Sequence, residues 1–109
     1  MIQVDLYYNE RGLIQRFTVN GHAEANPEGF DQVCFAVSLV TQVIANGLED
    51  VLHKKAHPDI RPEDGSLAIY LDEEPDELTE ALLQTMVNGL RQLQKTYSKK
   101  YLSIKEHRR

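Results

Sequence analysis

Between Asn20 and Asp31 the apolar period of the chain changes from two residues to about 3.6, and this switch limits the folds open to it. Before the switch, Ile2, Val4, Leu6 and Tyr8 alternate with Gln3, Asp5, Tyr7 and Asn9, the pattern of a half-buried strand. Asn9-Glu10-Arg11-Gly12 reads as a turn, and Leu13 to Asn20 as a second strand with Phe17 and Val19 on one face. The two predict an antiparallel hairpin. After the switch, Val33, Ala36, Val37, Val40, Ile44, Gly47, Leu48 and Val51 recur at helical spacing, predicting a helix from about Asp31 to Leu52. Asp31 is a favourable N-cap whose carboxylate reaches the N–H three residues on, that of Cys34.

This helix carries a second apolar stripe, Phe35, Leu39 and Val43, on roughly the opposite side. A helix with two apolar faces is buried twice, by a sheet on one side and by a second subunit on the other. Hence a homodimer is expected. Small residues, Cys34, Ser38, Thr41 and Ala45, run between the stripes. Beyond the helix, His53 to Ile60 is poorly patterned, and Pro58 restricts it to an edge strand or loop. Asp64-Gly65 marks a hairpin turn before the alternating Leu67, Ile69 and Leu71. A second helix starts at Pro75-Asp76-Glu77, with Leu78, Leu82, Met86, Gly89, Leu90, Leu93 and Tyr97 as its inward stripe. Leu102 and Ile104 suggest a short final strand. The order strand-strand-helix-strand-strand-helix predicts an α+β fold, two helices on an antiparallel sheet, in one domain spanning residues 1–109.

Charge narrows the function classes. Residues 1–90 hold 5 Lys/Arg against 16 Asp/Glu, while residues 91–109 hold 7 against 1. An acidic body argues against nucleic acid as a direct partner, and the basic tail reads as a solvated counterweight to it. No apolar run approaches a membrane span and the start lacks a signal-like segment, so no membrane partner and a cytoplasmic location are expected. His53 and His57 have the i,i+4 spacing of metal ligands but no evident third partner, so no metal and no cofactor are expected. Neither a GxGxxG nor a P-loop pattern is present.

The chemistry concentrates around the single cysteine. Cys34 falls in the first turn of the first helix, where unpaired N–H groups and the positive end of the macrodipole favour a thiolate. His22 closes the second strand twelve positions earlier, and Gly21 lets the chain leave the sheet there. The intervening residues 23–30, with Asn26-Pro27 and Gly29, form a loop long enough to bring imidazole to sulfur. Cys34 as nucleophile and His22 as base and proton donor make a catalytic dyad. Oxyanion donors would come from the N–H of Cys34 and its neighbours, a role that competes with the Asp31 cap for the same group. Asp31 and Ser38, the latter one turn beyond Cys34, are supporting candidates. Gly29 and Phe30 are candidate substrate-loop residues. Against this stands a plain packing cysteine, and with it a different class of protein: a non-catalytic binding module with a structural cysteine. A thiol-transfer role is weakened because no resolving cysteine exists.

The string Gly21-His22-Ala23, then Gly29, Asp31, Val33-Cys34 and Ala36-Val37-Ser38, resembles the signature of the Prp (YsxB-like) family of ribosomal-processing cysteine proteases. The resemblance extends over nearly the whole chain by length and element order. It implies a homodimeric endopeptidase with His22 and Cys34 as its dyad, the alternative being a non-catalytic ribosome-associated binding module with a structural cysteine. It further implies a ribosomal protein substrate, large-subunit protein number twenty-seven, from which a hydrophobic N-terminal extension is removed. One departure is Phe35, at a position where the family leads one to expect a small residue, usually alanine.

Overall fold

The computed structural model describes residues 1–21, 31–61 and 66–109. It contains β1 (Ile2–Tyr8), β2 (Ile14–Asn20), α1 (Gln32–Asp50), β3 (Asp59–Arg61), β4 (Ser66–Tyr70), α2 (Glu77–Tyr97) and β5 (Leu102–His107). The strands form one sheet in the order β3-β4-β2-β1-β5. The α+β architecture expected from the two periodicities is therefore the one observed. Among the described residues three of the four strand pairings are antiparallel, and the fourth, β1 with β5, is parallel.

The hairpin forms because Asn9 can close its own turn. Its backbone accepts from Gly12 N–H at 3.0 Å, and its side-chain Oδ1 accepts from the N–H groups of Arg11 and Leu13. The register pairs Val4 with Val19 and Leu6 with Phe17, so the alternating apolar residues share the inner face of the sheet. Both helices supply apolar side chains to the core on that face. Val33, Val37 and Leu48 of α1 and Leu83, Met86 and Leu90 of α2 are fully buried there with Leu6, Ile14 and Phe17. The helices approach each other closely at Gly47, where an added Cβ would meet Leu82 Cδ2 at 3.3 Å. By length and composition alone α1 would suffice to cross a membrane. Here one face of it is spent on the protein core.

α2 starts with a capping box: Asp76 accepts from Thr79 N–H, and Thr79 Oγ1 accepts from Asp76 N–H, both at 3.0 Å. Lys54 Nζ lies 2.6 Å from the same carboxylate and ties the exit of α1 to the start of α2. This contact lowers the Asp76 pKa and raises that of Lys54.

Two helical stripes differ from their expected membership. Leu78, expected to face inward, is 61 % exposed, and Thr79, Leu83 and Val87 are buried instead. α2 is thus rotated so that positions 79, 83, 86, 87 and 90 meet the sheet. Val51, expected on the core face of α1, is the exposed C-cap. The final strand is also longer than Leu102 and Ile104 suggest, because backbone pairing with β1 carries it through Lys105, Glu106 and His107. His107 then anchors its end, with Nε2 2.8 Å from Asp5 Oδ1 and its ring stacked on Tyr7 at 4.6 Å.

Candidate active site

Asp31 has extended backbone angles (φ −94°, ψ 101°), and its Oδ1 accepts from Val33 N–H and Cys34 N–H, each at 3.1 Å. Its carbonyl accepts the first helical bond, from Phe35 N–H, at 3.0 Å. The N-cap expected from the sequence is realised down to the Cys34 amide. The competition noted above resolves in favour of the cap: in this structure the Cys34 N–H serves Asp31. The cap carboxylate also puts a negative charge on the same first turn that favours a thiolate, which offsets part of the macrodipole's pull.

Cys34 is not in a disulfide and is half-buried, packed against the edge of the core. Ser38 follows one turn later with an exposed side chain. Next along this flank is Thr41, which is buried and folds its hydroxyl back onto the helix. Its Oγ1 donates to the Val37 carbonyl at 2.8 Å. The small residues between the two apolar stripes thus form one flank of α1, running from Cys34 through Ser38 into a cleft of about 330 Å³.

The floor and rim of that cleft come from elsewhere in the chain. Val19, Ile60, Arg61, Ser66 and Leu67 line it opposite Ser38, Thr41 and Gln42. The sequence marks Val19 and Leu67 only as strand-face residues, and none of the five as part of a site. The signal is faint, since Pro58 restricts His53 to Ile60 only to an edge strand or loop. The proposed base His22 and the substrate-loop residues Gly29 and Phe30 lie outside the described residues. Asp31, Cys34 and Ser38 are brought together on the start of α1.

The approach to His22 is described as far as Gly21. Its φ is +89°, and a Cβ there would collide with the backbone carbonyl oxygen of Met1. Glycine is therefore required on both conformational and steric grounds at the point where the chain leaves β2. Gly21→Ala should cost at least about 1–2 kcal/mol, the penalty of a left-handed backbone with a side chain. Urea unfolding checks this, and an unchanged midpoint would show that the strand end accommodates a side chain freely.

Among the described residues no group of three or more His, Cys, Asp or Glu is arranged to hold a metal. His57 lies 3.6 Å from Asp72 and beside Tyr70, while His53 has a left-handed backbone (φ 54°) just after α1.

Three comparisons bear on this arrangement. A family model described as cysteine protease Prp matches residues 1–102. The ribosomal processing cysteine protease Prp of Staphylococcus aureus (strain Mu50 / ATCC 700699) is 29% identical over 101 residues, covering 90% of this chain and 92% of that protein. Among solved structures, SMU.848 from Streptococcus mutans superposes with a TM-score of 0.85 at 26% identity, covering all of this chain and 96% of that one. An essential ribosomal processing protease Prp from S. aureus, in complex with a covalently linked product peptide, gives a TM-score of 0.89 at 22% identity. That match covers 98% of this chain and 100% of the other, and shows a shared fold.

Proposed function

This chain belongs to the family of cysteine protease Prp, and on that premise we propose that it is an endopeptidase acting through His22 and Cys34 on a ribosomal protein. The chain is a cysteine protease, which sets aside the alternative of a non-catalytic binding module. The proposed substrate is large-subunit ribosomal protein number twenty-seven, shortened at its hydrophobic N-terminal extension in the cytoplasm. The S. aureus relative is named for ribosomal processing, and a protein of the same fold has been solved in complex with a substrate peptide.

The observation that carries the dyad is the position of Cys34. It is held in the capped first turn of a core helix, half-exposed, on the flank that opens into a cleft. A packing cysteine has no need of that exposure. In the proposed mechanism Cys34 attacks the scissile carbonyl as thiolate, with the proton on His22. His22 then delivers this proton to the departing amine, leaving an acyl-enzyme that water hydrolyses. Asp31 fixes the helix start that carries the nucleophile. Ser38 borders the path of the peptide beyond it.

Iodoacetamide tests this assignment without any substrate. Cys34 should alkylate faster than free cysteine at pH 7, and His22→Ala should remove the excess, because the thiolate loses its imidazolium partner. An alkylation rate equal to that of free cysteine would speak for a structural thiol.

A further inference from the structure

The helix layer does not cover the whole sheet. β3 is one of the two edge strands of this sheet, and all three of its residues are exposed. Ile60 pairs in register with Leu67, so the two share the helix-side face. Leu67 is buried under the core, yet Ile60 is 48 % exposed, because it overhangs past α1. The space beneath the overhang is the cleft already described, floored by Val19, Leu67 and Ile60 and walled by Ser38 and Gln42.

Its place along α1 fixes its distance from the nucleophile. Ser38 is four residues from Cys34 and Gln42 eight, about 6 and 12 Å along the axis at 1.5 Å per residue. An extended peptide advances about 3.3 Å per residue, so the cleft lies two to four residues from a bond held at Cys34.

Its chemistry is set by the floor. Three aliphatic side chains lie there, while Ser38, Thr41, Gln42, Arg61 and Ser66 bring hydroxyl, amide and guanidinium groups to the walls and rim. Among the described residues the one cation at the rim is Arg61, which meets Asp59 through two contacts at 3.3 and 3.4 Å. A volume of about 330 Å³ is at the small end for a ligand site and suits a side chain rather than a cofactor.

We propose that this cleft is a specificity pocket, in which an apolar side chain of the peptide substrate, two to four residues from the scissile bond, is buried against Ile60 and Leu67. The proposal rests on Cys34 being the nucleophile. Ile60 and Gln42 are specificity-determining residues in this scheme, and neither takes part in bond breaking.

The test uses peptides spanning the extension junction of the ribosomal protein, with apolar residues replaced by alanine one at a time. Ile60→Asp makes the floor polar, and Gln42→Trp fills the cleft from the exposed helix surface. Both should raise KM about tenfold for the parent peptide with kcat little changed, the scale of a mismatched apolar subsite. One alanine peptide should lose this sensitivity, thereby identifying the residue that the cleft holds. Peptide affinity measured in a Cys34→Ser background should fall by the same factor, independent of turnover. Wild-type KM and affinity in both variants would overturn the pocket while leaving the dyad intact. If the wild-type protein cleaves no peptide and Cys34 alkylates like free cysteine, the assignment of Cys34 fails and the pocket fails with it.

Discussion

Cys34→Ser and His22→Ala should each lower kcat/KM on the junction peptide by at least 100-fold, and by up to about 10,000-fold. The serine hydroxyl remains protonated at neutral pH and lacks the intrinsic nucleophilicity of sulfur, so the attack step slows even with the base in place. Removing the imidazole leaves a thiol that must attack without a partner and an amine that must leave unprotonated. The fold should survive both changes. Cys34 is half-buried at the edge of the core, and its helix start is held by Asp31 rather than by the sulfur. Circular dichroism melts within a few degrees of wild type would confirm that the loss is chemical. A Cys34→Ser protein with near wild-type turnover would remove the thiol from the mechanism.

The second large effect concerns assembly. Phe35, Leu39 and Val43 are 55, 53 and 57 % exposed, and their i,i+4,i+8 spacing puts them in one row on α1 away from the core. We propose that a second copy of the chain covers this row. Leu39→Glu would then place a carboxylate in the apolar centre of the contact, where no counter-charge has been arranged for it. Burial of an unpaired charge is expensive enough to weaken dimerisation at least about 100-fold. Sedimentation should show a wild-type dimer at micromolar concentration and a Leu39→Glu monomer. Leu39→Ser, a milder change, should shift the equilibrium in the same direction. A wild-type monomer at high micromolar concentration would reject the dimer. Because Phe35 is the neighbour of Cys34 in the chain, loss of the contact should also depress turnover.

Much of this architecture could be read in the residues because side-chain pattern and backbone requirement coincide. The alternation from Ile2 to Tyr8 and the helical repeat from Val33 to Leu48 both report burial, which is what pattern measures. The Asp31 cap was legible because it is local: donor and acceptor are three residues apart. Where burial and pattern separate, the reading failed. Lys105, Glu106 and His107 give no apolar alternation, yet their backbones complete a strand beside Asp5, Leu6 and Tyr7. Leu78 fits a helical stripe, but it sits in the first turn of α2 on the side away from the sheet, and its exposure follows from the helix's rotation about its axis. The cleft was illegible for a further reason. Its lining comes from β2, α1, β3 and β4, and only the sheet order places Ile60 across from Ser38. Pattern and chemistry coincide most closely in one short segment, Asp31 to Ser38, which carries the cap, the thiol and the start of the cleft.

The most direct measurement is mass spectrometry of the extended ribosomal protein after incubation with the wild-type chain and, separately, with Cys34→Ser. The account predicts a single cut by the wild type that removes the hydrophobic N-terminal extension, with the same protein left at full mass by Cys34→Ser. An intact ribosomal protein after incubation with the wild type, or an identical cut by both, would contradict it.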